Sequence, residues 1–179
     1  AKFDRICQAL RLKPTDHLME IGTGWGGFAI HAARQYGCRV TTTTISREQF
    51  DYAKDRVRQE GLQDRIELLL EDYRDLSGVY DKLVSIEMIE AVGHEFLPVY
   101  FAKCSDLLAP DGMMAIQAIT IPDQRYETYR KSTDFIQKHI FPGGCLPSLG
   151  AMFAAVRKGT DMRISHQQDL APHYARTLV

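Results

Sequence analysis

The stretch that decides the fold is Leu18-Met19-Glu20-Ile21-Gly22-Thr23-Gly24-Trp25-Gly26-Gly27. Its first residues are mostly apolar and predict a strand, which stops at a run of glycines. Residues 28–34, Phe-Ala-Ile-His-Ala-Ala-Arg, predict a helix directly behind the glycines. Such a turn leaves free N–H groups at the helix start, and glycine permits positive φ and close approach of a ligand to the main chain.

The spacing around the glycines favours one kind of nucleotide-like ligand over another. The dinucleotide fingerprint G-x-G-x-x-G fits only if Gly27 serves as its third glycine. Glu20 suits better the acidic E/D-x-G-x-G-x-G turn of S-adenosylmethionine-dependent methyltransferases. A tight turn without a ligand is the alternative, although so many glycines would cost conformational entropy. The predicted cofactor-binding residues in this stretch are Glu20, Gly22, Thr23, Gly24, Trp25 and Gly26.

Composition sets limits on the class of protein. A chain of 179 residues predicts a single domain over residues 1–179, and a formal net charge of −1 disfavours nucleic acid as a partner. The four cysteines form no C-x-x-C pair, so neither a metal site nor a redox dithiol is predicted. No apolar run approaches the ~20 residues that cross a bilayer. We expect a soluble cytoplasmic protein, compatible with peripheral contact at the inner membrane face.

The order of predicted elements indicates the fold class. Strands and helices alternate with short connections, which predicts an α/β fold with a Rossmann-like, doubly wound, mostly parallel sheet whose last strand is missing. Residues 122–147 break the pattern and are interpreted as an insertion that covers the substrate. The predicted strands are 18–21, 38–45, 65–70, 80–87, 113–121 and 162–166; the predicted helices are 1–12, 28–34, 47–60, 95–108, 126–139, 148–157 and one near Tyr174, with a turn at 109–112.

Further cofactor contacts are predicted at the ends of the second and third strands. No acid stands at the end of the second strand, so a ribose would be held by the neutral side chains of Thr44 and Gln49. Gln49 also has capping-box spacing from Ser46, and a pure helix cap is the alternative. Asp72 could accept from an adenine amino group and Tyr73 could stack on its ring, unless they are a solvated loop acid and a core tyrosine.

Polar residues at the ends of the two following strands are the candidates for chemistry. Glu87 and Glu90 lie at the carboxyl end of the fourth predicted strand, at the edge where open α/β sheets place their active sites. Gln117 interrupts the apolar fifth strand, so its amide either faces a pocket or finds buried partners.

Several motifs together resemble the cyclopropane-fatty-acid synthases and mycolic acid cyclopropane synthases, with their related lipid methyltransferases. The first motif is generic to methyltransferases, whereas the Phe-Pro-Gly-Gly-Cys-Leu-Pro-Ser loop and the Thr-Ile-Ser-x-x-Gln pairing are specific. The matching segments are EIGTGWGG at 20–27, TISREQ at 44–49, DYRDL at 72–76, SIEMIEAVG at 85–93 and KHIFPGGCLPS at 138–148.

The resemblance implies a class I methyltransferase that adds a methyl or methylene group from S-adenosylmethionine to the double bond of an unsaturated phospholipid acyl chain. It implies a bicarbonate or carbonate ion as base, held by Glu90, by the residue at Gln117 and by the backbone N–H of Ile119. The family has histidine where this sequence has Gln117, and often histidine where it has Ala91. A glutamine can donate to an anion but cannot exchange a proton near neutral pH.

The resemblance also implies a member truncated at both ends. A cofactor-lid tyrosine before the first strand and a catalytic tyrosine after the last helix have no counterpart, so weak cofactor binding and slow turnover are expected. Two other hypotheses stay open: methylation of a small amine or natural product, and a non-catalytic S-adenosylmethionine-binding module, with an oligomer compatible with either. A nicotinamide-dependent oxidoreductase is the least favoured because Thr44 replaces the expected acid.

Overall fold

A computed structural model describes residues 2–132 and 144–171 of the chain. Its five strands form one sheet, and helices separate most of the strands along the sequence. The strands are β1 His17–Ile21, β2 Arg39–Thr43, β3 Ile66–Leu69, β4 Tyr80–Ile86 and β5 Leu108–Gln117; the helices are α1 Lys2–Ala9, α2 Gly27–Tyr36, α3 Arg47–Gln59, α4 Leu97–Leu107, α5 Asp123–Tyr129 and α6 Leu149–Gly159, with 3₁₀ turns at Ile89–Ala91 and His94–Phe96.

All strand pairs in the sheet are parallel, in the order β3-β2-β1-β4-β5. The chain therefore runs outward from β1 in one direction through β2 and β3, and in the other through β4 and β5. This is the doubly wound arrangement that the alternation of elements predicted. The direction reverses between β1 and β4, and open α/β sheets bind ligands at the carboxyl ends of the two strands where this happens.

Apolar side chains cover both faces of the central strand. Leu18 packs in one cluster with Phe28 of α2, while Met19 and Ile21 pack in a second cluster with Tyr100 of α4. A strand buried on both faces needs a near-continuous apolar run, which explains the composition of β1. The buried sheet holds the loops at its carboxyl edge in fixed positions.

The predicted turn at 109–112 is wrong, because these residues form a bulge within β5. Tyr80 pairs with Leu108 and Lys82 with Met113, so the residues between Leu108 and Met113 loop out of the ladder. A proline is tolerated at such a bulge on an edge strand. A Cβ added at Gly112 would lie 2.8 Å from the carbonyl oxygen of Ala109, so the tight bulge requires glycine there. The strand also ends at Gln117, four residues before its predicted end.

Other differences concern the last third of the chain. The predicted strand at 162–166 is wrong: this segment has no regular structure, and Ile164 is 49 % exposed because no described strand pairs with it. Helix α5 ends at Tyr129, and the rest of the predicted helix at 126–139 falls partly outside the described residues, as does the predicted helix near Tyr174. Within residues 2–132 and 144–171, no helix is long and apolar enough to cross a membrane.

Candidate active site

The glycine turn after β1 adopts the conformation that its sequence predicted. Three of its glycines have positive φ: Gly22 at 103°, Gly24 at 51° and Gly26 at 78°. The N–H groups of Gly22 and Thr23 both donate to the carbonyl of Thr43 at the end of β2, at 3.0 and 2.9 Å. A Cβ added at Gly24 would have no atom within 4 Å, so the main chain there faces open space. This is a cradle in which a ligand can approach the backbone closely.

Glu20 lies at the base of this cradle and is only 2 % exposed. The Thr42 hydroxyl donates to its Oε2 at 2.7 Å, and the Thr23 hydroxyl lies 2.7 Å from the Thr42 hydroxyl. Burial raises the pKa of Glu20 to about 8, and the hydrogen bond from Thr42 opposes part of that rise. Thr42 was not among the predicted site residues, although the run of four threonines at 41–44 is an unusual composition for a buried strand.

We expect the free energy of unfolding of the Glu20→Gln variant to increase relative to that of the wild type as the pH rises. The folded-state pKa of about 8 exceeds the unfolded value of 4.5, so between these values the folded protein keeps a proton that the unfolded chain has lost. The wild-type free energy of unfolding therefore falls with pH across this window, and the amide removes that loss. Urea unfolding of both proteins at pH 5 and pH 8 should change their difference on the order of 3–5 kcal/mol. Parallel pH profiles would contradict this.

Thr44 and Gln49 contact each other just beyond β2. The Thr44 hydroxyl donates to Gln49 Oε1 at 2.9 Å and accepts from the N–H of Ser46 at 3.1 Å. Ser46 caps α3 as predicted, since its hydroxyl accepts from the Gln49 N–H at 3.3 Å. The Gln49 side chain, however, does not complete the capping box, because its oxygen is bonded to Thr44. The group left to donate to a ribose oxygen is thus Gln49 Nε2.

Asp72 and Tyr73 lie beyond β3 in two different environments. Asp72 accepts from Nε and Nη2 of Arg74 at 2.9 and 2.8 Å, and this bond lowers the pKa of the carboxyl. A ligand amino group would have to share Asp72 with this guanidinium. The half-buried ring of Tyr73 meets the ring of Tyr100 edge-on, with centroids 5.3 Å apart. One side of the Tyr73 ring is therefore supported by Tyr100 of α4.

Trp25 is the most exposed of the predicted cofactor-binding residues. Its side chain is 56 % exposed and its ring lies edge-on against Tyr52 of α3 at 5.2 Å. Its carbonyl accepts from Arg56 at 2.8 Å. The described contacts tie Trp25 to α3 rather than to the buried part of the turn.

Glu90 is buried in the 3₁₀ turn after β4. It is 8 % exposed, and its Oε1 accepts the backbone N–H of Ile119 at 2.6 Å. Its own carbonyl accepts the N–H of Cys145 at 2.8 Å. Burial raises the pKa of Glu90, and the N–H of Ile119 opposes that rise. Two residues of the predicted catalytic set, Glu90 and Ile119, are thereby in direct contact.

Gln117 contacts a different carboxylate, that of Glu87. Gln117 Nε2 donates to Glu87 Oε1 at 2.6 Å, and Lys2 Nζ donates to the same oxygen at 2.8 Å. Glu87 has φ 52°, a left-handed conformation that is uncommon outside glycine, at the point where β4 ends. Strained backbone of this kind is found at functional sites. The sequence already placed Glu87 at this edge, but its bond to Gln117 was not predicted.

The acidic region and the glycine turn are adjacent. A Cβ added at Gly22 would lie 3.2 Å from Cγ of Met88, which precedes Glu90 by two residues. Within the described ranges 2–132 and 144–171, no three His, Cys, Asp or Glu side chains are grouped to hold a metal ion. At this edge of the sheet the glycine turn lies next to the segment that carries the buried Glu90 carboxylate.

The comparison with known families agrees with this geometry. A family model described as mycolic acid cyclopropane synthetase matches residues 1–179. This chain belongs to that family. The family resemblance predicted from the sequence is therefore confirmed.

Similar proteins include curated relatives and a solved structure. The chain is 45 % identical over 177 residues to tuberculostearic acid methyltransferase UfaA1 of Mycobacterium tuberculosis, covering 99 % of this chain and 41 % of that protein. It is 40 % identical over 154 residues to the cyclopropane-fatty-acyl-phospholipid synthase of Escherichia coli K12, covering 83 % of this chain and 37 % of that one. The chain thus spans about two fifths of these relatives.

The structural neighbour confirms the fold. Mycolic acid cyclopropane synthase CmaA1, crystallised with SAH and CTAB, superposes with a TM-score of 0.88 at 30 % identity, covering 99 % of this chain and 65 % of that chain. The family, the methyltransferase fold and the parallel sheet predicted from the alternation of strands and helices therefore agree with one another. The individual site residues remain predictions, now placed in three dimensions.

Proposed function

We propose that this protein transfers a methyl or methylene group from S-adenosylmethionine to the double bond of an unsaturated fatty acyl chain of a phospholipid. The observation that carries the proposal is the buried Glu90 carboxylate, held beside the glycine cradle in a family whose members modify lipid chains. A positively charged reaction centre in a dry pocket is stabilised by a fixed negative charge. Glu90 supplies that charge.

The cradle fits S-adenosylmethionine, which provides an activated methyl group when bound. Glu20 and the open backbone at Gly24 suit its amino-acid part, since a buried carboxylate gains a partner from an ammonium group. Gln49 Nε2 is placed to donate to a ribose oxygen, and Tyr73 offers an aromatic surface for the adenine. The same cofactor is supported by the family match and by the SAH bound to CmaA1.

Residues 122–147 are assigned to cover the acyl chain. The described ends of this segment are fastened to the site: Ile121 N–H donates to the Pro147 carbonyl at 3.1 Å, and Cys145 N–H donates to the Glu90 carbonyl at 2.8 Å. Gly150 N–H donates to Asp123 at 2.9 Å, which joins α6 to the start of α5. Closure over the double bond would exclude water from the cationic centre. The lipid would be met at a membrane surface, with the protein peripheral to it.

The proposal is tested by incubating the protein, in its full encoded length, with labelled S-adenosylmethionine and vesicles of phospholipid bearing either monounsaturated or fully saturated chains. We expect label only in the unsaturated chains, and chromatography of the released fatty acids distinguishes a ring from a methyl branch. Saturated vesicles are the matched control. The expectation of slow turnover for residues 1–179 alone is tested in the same assay.

Two results would overturn the proposal. Label transferred to members of an amine panel, and not to lipid, would favour a small-molecule methyltransferase. Calorimetric binding of S-adenosylmethionine without any product from lipids or amines would favour a non-catalytic binding module.

A further inference from the structure

A buried tyrosine joins the turn that carries Glu90 to helix α5. Tyr126 is 5 % exposed, its hydroxyl lies 2.7 Å from Nδ1 of His94, and the two rings meet edge-on with centroids 5.5 Å apart. We propose that Tyr126 is a positioning residue of this site: through His94 and Cys145, its hydroxyl holds the Glu90 turn in place. The inference rests on the proposed function, in which Glu90 supplies the fixed charge.

Helix α5 depends on Tyr126 for its position. The helix has seven residues, Asp-Gln-Arg-Tyr-Glu-Thr-Tyr, and Tyr126 is its buried residue. Helices this short are not stable on their own, so contacts with the rest of the chain decide where they lie. Tyr126, together with the bond from the Gly150 N–H to Asp123, therefore fixes α5 beside the turn after β4.

The same hydroxyl reaches a second segment at Cys145. The side chains of Tyr126 and Cys145 are hydrogen-bonded, and burial, with the neighbouring Cys145 thiol adding to it, raises the pKa of Tyr126 to about 12. The phenol therefore keeps its proton at neutral pH and remains a hydrogen-bond donor. Cys145 is in turn bonded to the acidic turn, because its N–H donates to the Glu90 carbonyl at 2.8 Å. Tyr126 is thus two contacts away from the backbone of Glu90.

The turn between Glu90 and His94 needs such links because its backbone contains a flexible point. Gly93 has φ 82° and ψ 151°, a conformation open almost only to glycine. Glycine leaves the chain free to rotate there unless contacts on either side restrain it. The Tyr126 hydroxyl restrains the chain after Gly93 through His94, and the chain before Gly93 through Cys145. Loss of the hydroxyl removes both restraints while the ring still fills its site.

The first test measures hydrogen exchange and requires no turnover. The Tyr126→Phe variant of the protein in its full encoded length keeps the ring and loses only the hydroxyl. We expect the Cys145 N–H, which donates to Glu90, to exchange at least about tenfold faster than in the wild type. The Thr23 N–H, which donates to the Thr43 carbonyl, is the internal reference and should keep its rate. Equal exchange rates at Cys145 in the two proteins would overturn the inference.

The lipid methylation assay measures whether this positioning matters for the reaction. In Tyr126→Phe, kcat should fall about tenfold because Glu90 is misplaced, whereas S-adenosylhomocysteine affinity should stay within about twofold of wild type. Tyr36→Phe is the matched control. It also removes a hydroxyl that is hydrogen-bonded, to Asp4 at 2.7 Å, but Tyr36 is the last residue of α2, and kcat should not change.

Variants of His94 test the other partner of the hydroxyl. His94→Ala should lower kcat about fivefold, and His94→Asn should restore it to within about twofold of wild type, because an asparagine oxygen can accept in place of Nδ1. In the Tyr126→Phe background the two His94 variants should have equal kcat, since the hydroxyl that distinguishes them is gone. A rescue that persists without the hydroxyl would contradict the proposed pair.

The outcomes separate this inference from the proposed function. Lipid product formed by Tyr126→Phe at the wild-type rate would overturn the positioning role, even with faster exchange at Cys145. If no protein forms lipid product, the proposed function fails, whereas the exchange rate of the Cys145 N–H still decides whether Tyr126 holds the Glu90 turn.

Discussion

Replacing Gly22 by alanine is expected to lower the free energy of unfolding by about 2–3 kcal/mol and to weaken S-adenosylhomocysteine binding at least tenfold. Its φ of 103° lies in a region that L residues rarely adopt. The added Cβ would lie 3.2 and 3.3 Å from Cγ and Cβ of Met88, so the turn and the segment carrying Glu90 would be pushed apart. Urea unfolding and calorimetric titration measure the two effects.

Gly61→Ala is the matched control for this substitution. Gly61 also has positive φ, 65°, but an added Cβ would meet no atom within 4 Å, and the residue follows α3 away from the cradle. It should lose only about 1 kcal/mol, from backbone strain, and bind the ligand as wild type does. If both variants bound the ligand equally well, the Gly22 turn would not be the cofactor cradle.

Replacing Tyr100 by alanine is expected to lower the free energy of unfolding by about 3–5 kcal/mol, a substantial part of the roughly 5–15 kcal/mol that stabilises a native protein. Tyr100 is fully buried and contacts Phe101 and Tyr73 edge-on, with centroids 5.4 and 5.3 Å away. The cavity left behind would release Tyr73 from its support. Ligand affinity should therefore fall together with the free energy of unfolding, both measured as for Gly22.

Tyr100→Phe separates the ring from the hydroxyl. Phenylalanine keeps the ring that holds Tyr73, so ligand affinity should stay within about twofold of wild type. The free energy of unfolding should not fall by more than about 0.5 kcal/mol, because the buried hydroxyl has no hydrogen-bond partner among the described residues. Equal losses of affinity in the Phe and Ala variants would show that the ring contact does not position Tyr73.

The central part of the fold could be predicted because its signals are local. A strand buried on both faces has a near-continuous apolar run, and a glycine turn followed by a helix can be recognised within ten residues of sequence. The bulge at 109–112 could not be predicted, because Ala-Pro-Asp-Gly also suits a free turn and only the register against β4 decides between them. The segment 162–166 alternates like a strand, but alternation forms no strand without a neighbour to pair with.

The same distinction between local and distant contacts applies to the site. Thr44 and Gln49 lie five positions apart across a helix start, so their pairing follows from the local sequence. Glu90 and Ile119 are 29 residues apart, and their bond depends on how β5 is positioned beside the 3₁₀ turn. The role of Thr42 depends on the register of β1 and β2, which sets it opposite Glu20. Resemblance to a family identified Ile119; the spacing of residues alone could not.

The two N–H groups that share the Thr43 carbonyl have a kinetic meaning. These hydrogen bonds within the protein fix the glycine turn, so its conformation is preorganised before a ligand binds. Binding then requires little ordering of the loop, and that entropy is not subtracted from the affinity. Under these conditions association is governed by diffusion and access, and the lifetime of the complex distinguishes a good ligand from a poor one.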